Sequence, residues 1–364
     1  MLTLPIWVVF PVAFCFLVHI AYLLYWKLPP ISENLNHKSL PNASVIICTH
    51  NNLLLLQRGL PSFLSQKHPQ FEVIVIDDNS TDGTWDWLQT IHNANLKIHR
   101  LEHSSPGKKD ALSAGIQLAQ YEWLMLTDAD CYVSSPQWIK SIITKCETHT
   151  MGYVAYAPYE KMPGLLNRLI RYDTALIAIQ YLSMAHRGNA YMGVGRNMGW
   201  KKNFVEPLLA GLSKQVTSSG DDDLLLQRAA KKQNIQPILS PDTYVYSAPH
   251  TRWKSWLKQK TRHLTTGWYY PLGTRLLLLG WFLTGIFQYV FAVIIFATTP
   301  KWVWLGLVII MARWLLNVLF RQHAFNILLE KDLIPYIPML DFIHIFVTPF
   351  ITIKSLFQNN KTWM

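Results

Sequence analysis

Residues Tyr121–Cys131, YEWLMLTDADC, decide how the rest of the chain is read. The apolar run Trp123–Leu126, bounded by polar residues, predicts a buried strand that delivers two carboxylates, Asp128 and Asp130, at its carboxyl end. Open α/β sheets bind ligands at that end of their strands. Side chains two apart in extended chain point the same way and lie ~7 Å apart, so a cation can be held through one and a sugar or ribose hydroxyl through the other. A strand ending in an acidic turn is the plain alternative, and short acidic patterns recur by chance. The neighbouring segments decide between the two.

Working outward, SVIICTHNN (44–52) holds a buried strand at Val45–Cys48, then Thr49, His50, Asn51 and Asn52, then a helical stretch to Gln66. In FEVIVIDDNSTDGTW (71–85) the strand Val73–Ile76 ends in Asp77 and Asp78, and an Asn-Ser-Thr-Asp-Gly turn leads into a helix capped among Ser80–Asp82. Lys97–Leu101 is a weaker strand, followed by a helix at Lys108–Ala119. The β-α-β-α-β-α-β series predicts an α/β fold with a doubly wound, mainly parallel sheet and helices on both faces. Thr49 with His50, Asp77 with Asp78, and Asp128 with Asp130 then share one rim and outline a cleft. Neither G-x-G-x-x-G nor G-x-x-x-x-G-K-[ST] follows the first strand, which counts against a dinucleotide fold or a P-loop. The phosphates of a ligand must then be neutralised by a metal and by side chains.

The composition points to a membrane. Of 364 residues 50% are hydrophobic and 15 are Trp, which is rich for a purely soluble protein. Leu2–Trp26 contains no Lys, Arg, Asp or Glu and is long enough to cross a bilayer. With nothing basic before Lys27, and Tyr22, Tyr25 and Trp26 at an interfacial position, it reads as a retained anchor rather than a cleaved signal. Leu276–Thr298 and Trp302–Phe320 are two further spans joined by a tight Thr-Pro-Lys connection. Arg313 interrupts the second, as a functional charge or as a partner for Asp341. Ile334–Phe357, broken by three prolines, either crosses the membrane or lies bent at its surface.

The net charge of +11 falls largely between the anchors, which places that region in the cytoplasm by the positive-inside rule. Such a surplus suits anionic head groups or a diphosphate better than nucleic acid. The four cysteines have no C-x-x-C spacing, so neither a disulfide framework nor a zinc site is indicated.

Four more stretches carry signal. Pro163–Arg187 holds an apolar run too short to span a bilayer, readable as an amphipathic membrane-face helix or as a core helix. YMGVGRNMGWKK (191–202) permits close backbone approach at Gly193, Gly195 and Gly199. Asp221, Asp222 and Asp223 precede LLLQRAAKKQ, where acids at a helix start favour the macrodipole. HTRWKSWLKQKTRH (250–263) alternates basic and aromatic residues just before the first carboxyl-terminal span, as an interfacial helix would.

This ordered set of motifs, over about Ser44–Trp268, resembles the family-2 glycosyltransferases of GT-A fold, which move a sugar from a nucleotide-sugar donor with inversion. The resemblance implies that Thr49, Asp77, Asp78 and Lys108 bind the donor, Asp78 with Asp77 on base and ribose and Lys108 on the diphosphate. A solvated lysine in the first helical turn is the alternative for Lys108. Asp128-Ala129-Asp130 is similar to the family's D-x-D, which binds Mg2+ or Mn2+ against the diphosphate, with Asp128 also on the donor. The acidic triplet resembles the segment carrying the general base, here Asp222 with Asp221 second, since three consecutive acids leave the register open by one. Gln259-Lys260-Thr261-Arg262-His263 resembles the Q-x-x-R-W motif of membrane polysaccharide synthases and ceramide-type glucosyltransferases, so Gln259, Arg262 and His263 would face the diphosphate or the acceptor. His263 stands where Trp is usual, which weighs against polymer synthesis.

The expected organisation is an anchor at 1–28, a linker at 29–41, a GT-A domain at 42–250, an interfacial helix at 251–274 and a membrane region of two to three spans at 275–364. The expected protein is an integral, multi-pass membrane enzyme with a cytoplasmic catalytic domain, in the inner membrane if bacterial. It takes a nucleotide-sugar, expected to be a UDP-sugar, and a lipid or lipid-linked acceptor, with no nucleic-acid partner. Three other readings stay open: a processive polysaccharide synthase, a transporter or channel with a regulatory nucleotide-binding domain, and a nucleotidyltransferase, which would release diphosphate instead of a nucleoside diphosphate.

Overall fold

The computed structural model describes residues 6–35, 39–102, 108–209, 225–227, 234–298 and 300–356. In chain order these form α1 (Ile6–Tyr25), β1 (Ala43–Thr49), α2 (Leu53–Leu64), β2 (Phe71–Asp77), α3 (Thr84–Gln89), β3 (Leu96–Arg100), α4 (Lys109–Leu118), β4 (Trp123–Asp128), β5 (Cys131–Val133) and α5 (Trp138–Ile143). There follow β6 (Gly152–Ala155), α6 (Leu165–His186), β7 (Met198–Lys201), α7 (Lys202–Leu209), β8 (Ile235–Ile238), β9 (Val245–Ser247), α8 (Trp253–Thr265), α9 (Leu272–Thr298), α10 (Val303–Ile327) and α11 (Ile337–Leu356).

Seven strands make one sheet in the order β3-β2-β1-β4-β7-β6-β8. β1 and β2 are buried at every position, the pattern of parallel strands covered on both faces. The parallel register sets Thr49 opposite Asp77 and Cys48 opposite Asp128, so the polar strand ends lie level along one rim. α2 buries Leu56, Leu60 and Phe63 on one face, and α4 buries Leu112 and Ile116 on the other.

The expected parallel series holds through β4, beyond which the sheet becomes mixed. β7, antiparallel to both β4 and β6, is inserted between them. Gly199 makes this possible: a Cβ there would strike the Leu124 carbonyl and the Tyr153 ring. β5 and β9 form a separate antiparallel ribbon, Cys131 opposite Ser247 and Val133 opposite Val245.

α6 is a core helix, which resolves the two readings of Pro163–Arg187. It is buried at positions all round its axis, including Asn167, Arg171, Tyr172, Asp173, Leu176, Tyr181 and Met184. A single apolar core continues from Ile46 and Ile74 in the sheet, through Leu169 and Leu182, to Phe325, Leu333, Ile337 and Leu340. Arg171 adds a buried ion pair to Glu330 (Nε to Oε2, 2.9 Å) and a pair to the exposed Asp332, and the Tyr244 hydroxyl donates to the Ile327 carbonyl at 3.0 Å. The catalytic sheet and the carboxyl-terminal helices are therefore packed as one body around α6.

Three helices are long and apolar enough to cross a membrane, Leu272–Thr298, Val303–Ile327 and Lys331–Ser355, and they mark the chain as a membrane protein. α1 packs on α9, where His19 stacks on Trp281 at 5.0 Å between centroids and Trp26 meets the same ring edge-on. Arg313 is paired with Asp341, as one of its two readings has it. Nε and Nη2 donate to the two carboxylate oxygens at 2.8 and 2.9 Å, and Nη1 donates to Gln288 at 2.7 Å.

Candidate active site

The ends of β1 and β4 open into a cavity of about 750 Å³, closed by the 192–196 segment, α6 and α8. His50, Lys108, Asp128, Asp130, Gln259, Arg262 and His263 all line it, so residues from four separate motifs meet in one space. Apolar side chains line it too, namely Ile170, Ile177, Tyr181, Met192, Val194 and Tyr270.

Thr49, Asp77 and Asp78 are the residues expected to bind the donor from the ends of β1 and β2. All three are buried and none lines the cavity. Asp77 Oδ2 accepts the Ser80 N–H at 3.3 Å and faces Arg100 Nε at 3.6 Å, which gives it a task in holding the turn after β2. The Asp78 N–H donates to the Thr49 carbonyl at 2.8 Å, and the Asp78 carbonyl accepts His50 Nδ1 at 2.6 Å. At the end of β1 it is Cys48 and His50 that line the cavity, while Thr49 between them is buried. Asp221, Asp222 and Asp223 fall outside the described residues.

Lys108 Nζ forms an ion pair with Asp128 Oδ1. Withdrawal from water works to raise the Asp128 pKa, but Lys108, with help from Arg196, more than offsets this and holds it below the usual carboxylate range. Asp130 behaves oppositely: withdrawal from water and the charge on Asp128 push it up, and Arg196 offsets only part of this. Two neighbouring carboxylates, one of them reluctant to ionise, are a fitting seat for a divalent cation, whose charge favours both anions. Among the described residues no group of three or more His, Cys, Asp or Glu is arranged for metal binding. A cation here would rest on Asp128 and Asp130 and take its other oxygens from a ligand and water, as Mg2+ and Mn2+ do.

Arg196, Tyr159, Asp173 and His250 also line the cavity and were not singled out by sequence. The Arg196 guanidinium donates to Ser247 Oγ and, at 3.0 Å, to the Ala157 carbonyl, and it lies 4.2 Å from the Tyr159 ring centre. Its one visible signal is a cation inside a Gly-rich stretch; for Asp173 it is a lone acid inside an apolar helix. On α8, burial and then the charges of Arg262, Lys260 and Arg196 bring the His263 pKa down to about 3. His263 is therefore a neutral ring at neutral pH, while its helix neighbours supply the charge.

Asp173 carries a stability prediction. Burial would raise its pKa, but Lys260 and His344 outweigh burial and lower it from 3.8 to about 2. A depressed carboxylate contributes stability that is present above its unfolded pKa and is lost as pH falls through the folded value. The wild type is expected to exceed Asp173→Asn by about 2 kcal/mol at pH 6, with the gap closing between about pH 4 and pH 2. Unfolding curves of both proteins in one lipid system check this, and a gap independent of pH would refute it.

The family described as Glycosyl transferase family 2 matches residues 44–206. Over 117 residues the chain is 32% identical to a poly-beta-1,6-N-acetyl-D-glucosamine synthase of Staphylococcus epidermidis, a match covering 31% of this chain and 28% of that protein. It is 23% identical over 247 residues to the probable glycosyltransferase YdaM of Bacillus subtilis, covering 65% of this chain and 57% of that one. The chain thus spans less than two thirds of the length of either relative. Among solved structures, the mannosyltransferase PcManGT from Pyrobaculum calidifontis, in complex with GDP-Man and Mn2+, superposes with a TM-score of 0.54. That likeness, at 16% identity over 92% of this chain and 97% of the other, is one of fold. The family match and the sheet order together make residues 44–206 a family-2 glycosyltransferase domain, with the Asp128-Ala129-Asp130 acids at the end of β4 and a fold of GT-A type.

Proposed function

We propose that the protein moves a sugar from a nucleotide-sugar, expected to be a UDP-sugar, to a lipid or lipid-linked acceptor at the cytoplasmic face of a membrane, with inversion. One observation carries this reading. One cavity is lined both by the charged groups Lys108, Asp128, Asp130 and Arg262 and by apolar side chains, among them Tyr270 beside the first carboxyl-terminal span. Charge suits a diphosphate and the apolar lining suits an amphiphile.

Asp128 and Asp130 would hold Mg2+ or Mn2+, which when bound stabilises the charge of the departing nucleoside diphosphate. Lys108 and Arg262 bind the diphosphate oxygens, and Gln259 with neutral His263 supplies hydrogen bonds beside them. Asp222, or Asp221 one position earlier, takes the proton of the acceptor hydroxyl as that oxygen attacks the sugar carbon from the side opposite the diphosphate. In this reading residues 42–250 form the catalytic domain, 251–274 the interfacial helix, and 1–28 with 275–364 the multi-pass membrane part, in the inner membrane if the source is bacterial. A second reading, a processive polysaccharide synthase, draws on the 32% identity to the Staphylococcus epidermidis protein.

The test is the full chain in lipid nanodiscs with UDP- and GDP-sugars, Mg2+ or Mn2+, and lipid extract. The expected result is release of nucleoside diphosphate with one donor class and one sugar added to a lipid. A long polymer would favour the second reading, and no nucleoside diphosphate from any donor would defeat both.

A further inference from the structure

Asp173 has no task in the donor chemistry, yet its carboxylate joins two elements. Oδ2 pairs with Lys260 Nζ of α8, and Oδ1 accepts from His344 Nε2 of α11 at 3.1 Å. The Asp173 and Lys260 side chains are 8% and 12% exposed, so solvent screens this pair little. Both residues line the cavity, and Lys260 sits on α8 between Gln259 and Arg262; His344 is outside the lining.

The other end of the connection is fixed as well. His344 follows Asp341 by three positions and so shares its helix face, and Asp341 is held by Arg313 of α10. Tyr172, next to Asp173 on α6, accepts Arg321 Nη1 of α10 at 2.6 Å. An apolar contact would hold α8 against α6 equally well. A carboxylate gripped at both oxygens adds direction, fixing the rotation of α8 as well as its distance.

We propose that Asp173 is a positioning residue through which the seating of α11 sets Lys260, and with it the face of α8 that carries Gln259, Arg262 and His263 into the cavity. Its consequence for nucleotide binding rests on the donor reading above, whereas the link from His344 through Asp173 to Lys260 does not.

The test uses the full chain in lipid nanodiscs with competitive acetylation of lysine amines, read by mass spectrometry. In the wild type Lys260 should react about tenfold more slowly than Lys254 and Lys258, which are exposed on the same helix. His344→Ala should raise the Lys260 rate several-fold and leave Lys254 and Lys258 unchanged, and Asp173→Asn should raise it to theirs. UDP and GDP affinities on the same samples should fall in both variants, and the double variant should bind no worse than Asp173→Asn alone. An unchanged Lys260 rate in His344→Ala overturns the proposal even if Asp173→Asn fails to fold, and so do additive losses in the double variant. A wild type that binds neither nucleotide would count against the donor reading, and the labelling result would still decide the link.

Discussion

Asp130→Ala is expected to lower sugar transfer by about 10²–10³-fold, the size of effect seen when one preorganised group facing developing charge is removed. Asp130 is costly to keep ionised beside Asp128, a cost that the cation proposed above would offset. The same variant should therefore keep the wild-type unfolding midpoint in cation-free buffer, or exceed it. Chelation should reduce wild-type transfer by a similar factor and reduce Asp130→Ala little further, because both remove the same interaction. Asp128→Ala should differ in one respect: it also releases Lys108 from its ion pair, so nucleotide binding without metal should change in that variant alone. Initial rates of nucleoside diphosphate release, with and without chelator, separate these cases. If chelation and Asp130→Ala multiplied independently, the metal assignment would have to be abandoned.

Asp341→Ala should be the most destabilising single change in the membrane bundle, at about 3–5 kcal/mol. Asp341 accepts from both Nε and Nη2 of Arg313, lies 3.9 Å from Arg321 Nη1, and accepts the Tyr289 hydroxyl at 3.1 Å. Its removal strands a buried guanidinium 1% exposed, with Gln288 and Tyr289 left beside it but no counter-charge bonded to it among the described residues. Replacing both charges, Arg313→Met with Asp341→Leu, should restore much of the loss, because the cost lies in the unpaired ion more than in the pair. Equilibrium unfolding in mixed micelles measures both variants. A single variant within about 1 kcal/mol of wild type would mean that the pair is surface-like despite its burial.

β1, β2 and β4 were readable in the sequence because each is a short apolar run ending in polar residues, and a parallel strand covered on both faces must look that way. The level placement of Asp128 on the rim follows from the same regularity. β7 and the β5–β9 ribbon were not readable, since strands of four and three residues carry too little pattern and their partners are distant in sequence. β1 and β2 run one residue past their apolar runs, through Thr49 and Asp77, so both side chains are buried at strand positions. Arg196 and Asp173 acquire meaning only through Ser247 and Lys260, which the fold alone brings to them. α6 kept two readings open because a helix buried all round its axis has no face for periodicity to reveal.

The β5–β9 ribbon has a consequence for divergence. It starts next to Asp130 and ends three residues before His250, so it ties the acidic strand directly to the approach of the basic helix α8. Residues 134–244 enter and leave that junction as one excursion. An insertion in a connection of that excursion, outside β6, β7 and α6, can lengthen the chain while the ribbon keeps the end of the acidic strand and the approach to α8 together. Related chains are then expected to differ most in length between these two strands, and least across them.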